Sequence, residues 1–389
     1  MNISSNTHCY GCGVCAVVCP RHIIEIVLSQ DGFYQPKLTD LSRCTDCGLC
    51  AGVCSYQDDE LSLKSTFQKS YAAWSKDSFV RRKSSSGGVA FEMGHSVIDQ
   101  GNKVVGCRYN VGENRAEHYV AATVEELIQS MGSKYIQSYT VDGFRQINRK
   151  ERYLVTGTPC QIDSFRRYIQ KFRCEENFVL MDFFCHGVPS KRVWDKYVQE
   201  VEKKVGRLTY VSWRNKFTGW HDSWAMSIDG EKCGEPVNWH DSYNMLIKEK
   251  KGFLNSRLSE GDVFYKSFLG NHCLGRPCYT QCKFKYQHSS ADIRIGDMWG
   301  KTYQDDEKGV SCAIAFTEKG DAALRAAQVN LIEYPFEVVA EGQIKQAVAR
   351  PRFLTLHYRL LRSSLSLAAC LRLFRFSWKI ERLLKKLSI

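Results

Sequence analysis

The spacing of apolar residues changes along the chain and predicts several structural units. In the middle of the chain, short apolar runs alternate with stretches whose apolar residues recur at helical spacing. The runs are VVGCRY (104–109), RYLVTG (152–157) and FVLMDFF (178–184), and the helical stretches include VEELIQSM and QIDSFRRYIQKF. Such alternation is typical of an α/β domain with ligand-binding loops at the strand ends.

A different pattern occupies the C-terminal end of the chain. Basic side chains there separate apolar residues at near-helical spacing: Leu360, Leu361, Leu365, Ala368, Leu371, Phe374 and Trp378. The pattern predicts a basic amphipathic helix over 349–389. A helix of this kind can lie on an anionic membrane surface, dock on an acidic partner or pack on its own domain, and the sequence leaves these alternatives open.

Composition narrows the class of protein. The 389 residues are 43% hydrophobic and 25% charged, which is the average of globular proteins. No apolar stretch approaches the roughly 18 to 20 residues of a membrane span, and the first residues do not resemble a signal peptide. We therefore expect a cytoplasmic protein, with peripheral contact at the inner membrane face as an alternative that depends on the basic tail.

The formal charge of +12 is unevenly distributed. Residues 1–60 carry more acidic than basic side chains, whereas residues 350–389 carry ten basic side chains and one acidic side chain. The basicity is therefore local, and we predict no nucleic-acid partner.

Eighteen cysteines supply the clearest chemical signal. The spacing C-x-x-C-x-x-C-x-x-x-C occurs twice, with an offset of 35 residues between the two runs: Cys9, Cys12, Cys15 and Cys19, then Cys44, Cys47, Cys50 and Cys54. This repeat is typical of a bacterial ferredoxin with two 4Fe-4S clusters. A zinc site has no need for this rhythm of four ligands and is the weaker alternative.

In such motifs the fourth cysteine of each run binds the cluster of the other run. We therefore assign Cys9, Cys12, Cys15 and Cys54 to one cluster and Cys44, Cys47, Cys50 and Cys19 to the other. Pro20 follows the first run, as is usual, but Ser55 follows the second. The exchange predicts an α+β ferredoxin-like domain over 1–60 in which the two clusters lie close together.

The polar stretch 61–85 leads into RRKSSSGG (81–88) and is predicted to be a linker into the second domain. Three loops rich in small residues then accompany the apolar runs: 84–88, 157–160 and 185–190. A run of serine and glycine that opens a helix can bind a phosphate through its N–H groups and hydroxyls, although it can equally be an ordinary helix cap.

Six motifs together resemble the beta-subunit family of coenzyme F-420 hydrogenases and dehydrogenases. They are SSGGVA (85–90), GSKYIQS (132–138), GTPCQI (157–162), FCHGVPS (184–190), WRNKFTGW (213–220) and ADIRIGDMWG (291–300). The resemblance covers most of the chain and implies an α/β domain that binds FAD over 86–348. It also implies electron exchange between that flavin and iron-sulfur clusters.

The resemblance further implies which residues form the flavin site. The candidates are Ser85, Ser86, Gly87, Gly88, Ser133, Lys134, Tyr135, Gly157 and Thr158. Lys134 is expected to neutralise a phosphate or the reduced ring, and His186 is a candidate proton donor. Asp297 of GDMWG is a further catalytic candidate. A backbone-binding role remains open for His186, and a turn or helix-cap role for Asp297. The stretch WRNKFTGWHDSW can either line a planar pocket or pack its tryptophans in the core.

A third group of cysteines, Cys273, Cys278 and Cys282, precedes ADIRIGDMWG. We expect a third 4Fe-4S cluster that takes its fourth ligand from Cys160 or Cys185, with a structural zinc site or free thiols as alternatives.

The sequence therefore predicts an iron-sulfur flavoprotein oxidoreductase. Its clusters pass electrons to or from FAD, which exchanges a hydride with an organic or deazaflavin substrate. Its redox partner is expected to be a carrier such as ferredoxin or a deazaflavin, or a partner redox subunit. The alternative is a non-catalytic electron-transfer subunit of a larger redox complex. An iron-sulfur sensor is disfavoured because the chain has no DNA-binding motif.

Overall fold

A computed structural model describes residues 2–3, 9–234, 254–280 and 282–387 of the chain. Part of the predicted second domain, 235–253, and the end of the predicted tail, 388–389, lie outside the described residues. The described helices are α1 (Val14–Val18), α2 (Leu49–Gly52), α3 (Ser78–Lys83), α4 (Val89–Asp99), α5 (Val124–Ile128), α6 (Val141–Arg145), α7 (Pro159–Lys171), α8 (Lys191–Val205), α9 (Val263–Leu269), α10 (Glu318–Ala326), α11 (Phe336–Val339), α12 (Leu354–Arg362) and α13 (Leu367–Lys386).

The described strands form three sheets. They are β1 (Ile24–Leu28), β2 (Tyr34–Leu38), β3 (Lys69–Ser75), β4 (Lys103–Asn110), β5 (Arg115–Ala121), β6 (Ser138–Tyr139), β7 (Tyr153–Thr156), β8 (Phe178–Phe183), β9 (Leu208–Ser212), β10 (Ala225–Gly230), β11 (Leu254–Arg257), β12 (Ile293–Asp297), β13 (Ser311–Ala315) and β14 (Val329–Glu333). Helices and strands alternate along the body of the chain, which confirms the mixed α/β class.

The N-terminal unit consists of two cysteine loops, two short helices and one hairpin. Strands β1 and β2 pair antiparallel, with Ile24 opposite Leu38. The helices α1 and α2 each follow a cysteine loop and begin at a glycine with positive φ, Gly13 at 76° and Gly48 at 74°. Glycine adopts this left-handed conformation without the strain that a side chain would introduce.

A nine-stranded sheet forms the centre of the body, in the order β14-β3-β13-β12-β8-β7-β4-β5-β6. The neighbours β12, β8, β7 and β4 run parallel, and the pairs toward the β14 edge run antiparallel. The carboxyl ends of β7 and β8 therefore lie side by side, and the loops that follow them leave the same edge of the sheet.

Strand β3 lies inside the stretch predicted to be a linker. It pairs with β13 on one side and with β14 on the other, and Tyr71, Ala72 and Ala73 are fully buried. The stretch therefore contributes a strand to the body sheet. The strand forms because it pairs with strands that are distant in the chain. The polar residues on either side of it hide this strand in the sequence.

The N-terminal unit packs on one face of this sheet rather than standing apart. Val14, Ala16 and Val18 of α1 share a buried apolar cluster with Val105 of β4 and Phe165 of α7. The two units therefore have a common hydrophobic core, and burial of this area stabilises their contact by about 25 cal/mol per Å².

The C-terminal segment forms two helices where one was predicted. The helices α12 and α13 are separated by residues 363–366, and the ammonium group of Lys196 in α8 donates to the carbonyl of Ser363 at 2.7 Å. Leu361, Cys370 and Phe374 pack in the core formed with α8 and α9. Among the described residues, no helix is both long and apolar enough to cross a membrane.

Candidate functional site

The cysteines of the N-terminal unit surround two cavities. The first, which we call the inner cavity, has an empty volume of about 340 Å³ and is lined by Cys9, Cys12, Cys15 and Cys54. The second, the outer cavity, has an empty volume of about 390 Å³ and is lined by Cys19, Cys44, Cys47 and Cys50. Each cavity thus takes three cysteines from one run and one from the other run.

The thiols of the inner cavity are crowded and buried. Burial raises the pKa of Cys9 to about 12, and the nearby Cys12 thiol adds to this shift. Burial likewise raises the pKa of Cys12 to about 11, with Cys54 contributing. Burial and crowding disfavour the negatively charged thiolates, but the positive charge of bound iron would offset this cost. The donor set therefore fits a 4Fe-4S cluster.

The body of the protein holds the inner cavity through hydrogen bonds to the first cysteine loop. The Gln137 side chain donates to the carbonyl of Tyr10 at 3.1 Å and accepts from the N–H of Tyr34 at 2.8 Å. The Thr140 hydroxyl donates to the carbonyl of Cys12 at 2.8 Å. A Cβ atom added at Gly13 would lie 2.2 Å from that hydroxyl oxygen, so only glycine permits this approach.

Ser55 and Ser164 connect the inner cavity to the body by a further route. The N–H of Ser55 donates to Ser164 Oγ at 3.2 Å, and Ser164 Oγ lies 3.2 Å from Cys12 Sγ. The Ser55 hydroxyl donates to the carbonyl of Cys160 at 3.2 Å. A proline at position 55 could make neither bond, so the departure from the usual ferredoxin pattern has a structural consequence.

A third group of thiols lies at the carboxyl ends of β7 and β8. Cys160 is the second residue of α7 and lies four residues after the end of β7, and Cys185 follows β8 by two residues. Burial raises the pKa of Cys278 to about 12, with Cys185 and Cys282 close enough to contribute. Burial also raises the pKa of Cys160 well above its usual value, with contributions from Cys185, Cys278 and Cys12. The structure therefore brings both Cys160 and Cys185 to Cys278 and Cys282.

Cys273, predicted to join this group, lies elsewhere. Its side chain is buried in the core that contains α12 and α13, and the thiol that influences its pKa is Cys370. Backbone pairing explains this orientation, because the Cys273 carbonyl accepts from the N–H of Ser190 at 2.9 Å and fixes the loop against α8. Cys160 and Cys185 together complete a group of four without Cys273.

Tyr10 lies between the inner cavity and the third group. It lines the inner cavity, and burial raises its pKa, with Cys282, Cys160 and Cys278 adding to the shift. Its ring packs edge-on against Tyr56 and Phe284, each with a centroid distance of 5.5 Å. The inner cavity and the third group are therefore neighbours.

The thiol groups that fit a cluster are not arranged as a site for a single metal ion. Within the described residues, no group of three or more His, Cys, Asp or Glu side chains is arranged to hold one metal ion. A cubane binds one thiolate at each of four irons, and so spreads its ligands more widely than a single zinc ion does.

Two of the loops predicted to bind flavin contact each other. The N–H of Ser133 donates to Ser85 Oγ at 3.0 Å. The Ser86 hydroxyl donates to the carbonyl of Val310 at 3.0 Å, and the N–H of Gly87 donates to the Ser311 hydroxyl at 2.9 Å. The serine-glycine loop is thus fixed against β13 rather than free at the surface.

This loop opens helix α4. Gly88 is its N-cap residue, with φ of 91°, and the neighbouring Ser84 hydroxyl is buried without a hydrogen-bond partner. An unpartnered buried hydroxyl beside a helix N-terminus suits an anionic group such as a flavin phosphate, because the helix end supplies positive charge.

The Lys134 ammonium group is already engaged by backbone. It donates to the carbonyls of Ser130, Met131 and Gly132 at 2.8, 3.1 and 3.1 Å, and burial lowers its pKa to about 8. These carbonyls lie in the segment that follows α5, which ends at Ile128. A phosphate could approach Lys134 only by competing with these carbonyls, which sequence reasoning did not foresee.

The remaining predicted flavin residues fall into two places. Tyr135 packs with Trp224 and Phe268, at ring centroid distances of 5.1 and 5.4 Å. Gly157 and Thr158 instead lie beside the third group, where Thr158 Oγ1 is 3.2 Å from Cys160 Sγ.

His186 occupies the space between these two places. Its ring contacts Phe268 at a centroid distance of 4.9 Å, and Nε2 is buried without a hydrogen-bond partner. Burial lowers its pKa, and Lys285 adds to this shift. Lys285 donates to the carbonyl of Cys185 at 2.6 Å.

Two residues of WRNKFTGW complete the site and were not predicted. Arg214 forms a buried ion pair with Asp297, with Nη1 and Oδ2 2.6 Å apart, so Asp297 serves neither as a free acid nor as a cap. Lys216 donates to the carbonyls of Arg81, Ser86 and Lys308, and burial lowers its pKa to about 7. The motif therefore joins the serine-glycine loop to β12. The sequence signal that could have identified Arg214 and Lys216 is their position among aromatic residues, which favours burial of basic side chains.

Comparisons with known proteins agree with these observations. Residues 70–142 and 150–334 match family models described as the N-terminal and C-terminal parts of the coenzyme F420 hydrogenase/dehydrogenase beta subunit. Residues 8–57 match a 4Fe-4S dicluster domain. No match is found among the curated proteins. A chain in a solved F420-reducing NiFe hydrogenase complex from Methanosarcina barkeri is similar, with 16% identity and a TM-score of 0.47 over 78% of this chain and 90% of that chain.

Proposed function

The chain belongs to the coenzyme F420 hydrogenase/dehydrogenase beta-subunit family, and from this we propose that it is an iron-sulfur flavoprotein oxidoreductase. The family and the 4Fe-4S dicluster domain make iron-sulfur electron transfer its chemistry. We further propose that electrons pass between three 4Fe-4S clusters and FAD, and that hydride exchange follows with an organic or deazaflavin (F420-like) substrate.

The succession of three cysteine groups carries this proposal. The outer cavity opens toward solvent at Cys47, the inner cavity lies in the part of the N-terminal unit that contacts the body, and the third group lies at the strand ends beyond Tyr10. Four cysteines in each place fit a cubane. The third group consists of Cys160, Cys185, Cys278 and Cys282. This order suits electron transfer between an external carrier and a buried acceptor.

A flavin converts single electrons into a hydride, which no cluster does alone. The serine-glycine loop and the start of α4 would hold its phosphates, because the Ser84 hydroxyl lacks a partner and Gly87 lies close to β13. Tyr135 would pack against its ring, with Ser133 fixed to Ser85. Gly157 and Thr158 would lie on the side of the third group.

His186 is the residue best placed to hold a proton near this acceptor. Its unpartnered Nε2 and its contact with Phe268 direct it toward the aromatic group that contains Tyr135. Lys134 would act through its charge, at the end of α5. Ferredoxin or a partner redox subunit would exchange electrons at the outer cavity, and a deazaflavin would exchange its hydride at the flavin, within the cytoplasm.

Anaerobic purification, with iron, sulfide and flavin quantified together, tests the proposal. We expect about twelve irons and one FAD per chain, because each 4Fe-4S cluster holds four irons. About twelve irons without flavin would support the alternative, a non-catalytic electron-transfer subunit of a redox complex. About eight irons would remove the third cluster.

A further inference from the structure

Helix α13 has one face in the core and a second face in solvent. Cys370, Phe374, Ser377 and Glu381 are buried and repeat every three or four residues. They face α8, α9 and α12, so packing on its own domain accounts for this side of the helix. Several residues whose periodicity predicted the amphipathic helix, such as Leu371 and Phe374, belong to the buried side.

The outward face carries a separate apolar stripe. Its members also repeat every three or four residues: Leu373, Phe376, Ile380, Leu383 and Leu387. Leu373 is 41% exposed, Phe376 61%, Leu383 60% and Leu387 67%. At 1.5 Å per residue the stripe is roughly 21 Å long, which is extensive for apolar side chains that nothing in the described chain covers.

A basic stripe runs along one side of the apolar stripe, one residue earlier in the chain. Its members have the same spacing: Arg372, Arg375, Lys379, Arg382 and Lys386, all exposed. The only acidic residue of the helix, Glu381, is buried. Trp378, 51% exposed, lies beyond the basic stripe beneath the Arg382 guanidinium, 5.1 Å from the ring centroid.

Charge decides between the partners that an apolar stripe could accept. A second copy packed stripe to stripe would bring the basic stripes of both helices together, and like charges across an interface oppose association. An anionic lipid surface satisfies both stripes, because apolar side chains enter the acyl boundary while basic groups remain at the headgroups. Tryptophan is also favoured at that depth.

We propose that the outward face of α13 binds the surface of an anionic membrane, with the helix axis parallel to the bilayer. The inward face keeps the helix attached to the body, so the body is held at the membrane surface. Binding then combines apolar insertion with electrostatic attraction, and raised salt weakens the second contribution. This surface is independent of the proposed redox chemistry.

Flotation of the full-length protein with vesicles tests the proposal. Vesicles of phosphatidylcholine with 30% phosphatidylglycerol, about one anionic lipid in three, supply the surface potential that basic segments recognise. We expect binding to these vesicles, and at least about tenfold weaker binding to pure phosphatidylcholine. If the protein binds neither vesicle type, or binds both equally well, the proposal is overturned.

Two variants separate the contributions. The double substitution Phe376→Glu and Leu383→Glu changes only exposed positions, so the fold is retained, and we expect about tenfold or greater loss of binding. Replacing Arg375, Lys379 and Arg382 with glutamine should remove the preference for anionic lipid. Leu41→Glu, at another exposed apolar position, is the matched control and should bind as the unmodified protein does.

Sedimentation of the free protein supplies a further check. A monomer at micromolar concentration supports the proposal, because the basic stripe opposes self-association. A dimer that the Phe376→Glu and Leu383→Glu substitutions dissociate would overturn it in favour of a second copy.

Discussion

The inner and outer cavities are built from the same cysteine spacing but lie in different surroundings. At the outer cavity Cys47 is exposed, and a Cβ atom added at Gly48 would meet nothing within 4 Å. At the inner cavity the equivalent residues are Cys12, which contacts Ser164, and Gly13, which contacts Thr140. The repeat thus encodes two equal binding motifs, and the body of the protein makes one of them an interior site.

Position 55 shows how the sequence records this difference. Pro20 follows the first run and is exposed, whereas the equivalent Ser55 is buried and bonds to Ser164 and Cys160. A residue that departs from the usual motif therefore marks the side of the ferredoxin unit that docks. The comparison predicts that matched changes at the two cavities have unequal effects.

Loss of a cluster ligand should give the largest inequality. Cys12→Ala should remove the inner cluster, about four irons, and destabilise the body, because Cys12 contacts Ser164 of α7 in the body. Cys47→Ala should also remove about four irons but leave the unfolding of the body unchanged. Iron analysis and thermal unfolding of both variants measure this, and equal loss of stability would show that the cavities are equivalent.

Exchange of the residues after the two runs should give the next effect. Ser55→Pro removes three hydrogen bonds, two with Ser164 and one with the carbonyl of Cys160, each of about 1 kcal/mol, so unfolding should cost about 3 kcal/mol less. Pro20→Ser, at an exposed position, should change the free energy of unfolding by about 0.5 kcal/mol or less. Chemical denaturation of the holoprotein compares the two. Similar values for both would deny Ser55 a docking role.

Alanine at the two helix-starting glycines probes the same contact. Both substitutions introduce a side chain at positive φ, which costs roughly 1 kcal/mol. Gly13→Ala must in addition displace Thr140, so its cost should exceed that of Gly48→Ala by about 1 to 2 kcal/mol. Denaturation midpoints at equal iron content give the difference, and a larger effect at Gly48 would reverse the comparison.

The smallest expected effect is a change of potential. The Ser164 hydroxyl donates to Ser55 Oγ at 2.9 Å and lies 3.2 Å from Cys12 Sγ. With a cluster bound, we expect this hydroxyl to turn and donate to the Cys12 sulfur, which stabilises the reduced state. Ser164→Ala should lower the midpoint potential of the inner cluster by about 40 mV, which corresponds to about 1 kcal/mol for one electron. The outer cluster should keep its potential. A redox titration followed by electron paramagnetic resonance separates the two signals.

The sequence predicts which cysteines lie close together, because cysteines separated by two or three residues belong to the same short loop. The cysteines that the repeat assigns to each cluster line one cavity each. The α/β body was also predictable from its apolar runs. Family membership was predictable because the six motifs occur in order along most of the chain.

Long-range packing was less accessible. Cys273 lies in the same connection as Cys278, between α9 and β12, but its side chain packs in the core of α12 and α13, which spacing alone does not reveal. The selection of both Cys160 and Cys185 follows from the adjacency of β7 and β8, a property of strand order. Lys134 donates to backbone carbonyls in the segment after α5, such as that of Ser130. These carbonyls compete with a phosphate for the ammonium group, and the motif alone does not show that they are within reach.

The central claim is that the inner cluster is the neighbour of the third cluster, with the outer cluster beyond it. Electron paramagnetic resonance of fully reduced Cys47→Ala tests this most directly, because only the inner and third clusters remain in that variant. We predict a spectrum broadened by spin-spin interaction, which becomes that of an isolated cluster when Cys160→Ala is added. Two non-interacting signals in Cys47→Ala itself would contradict the claim.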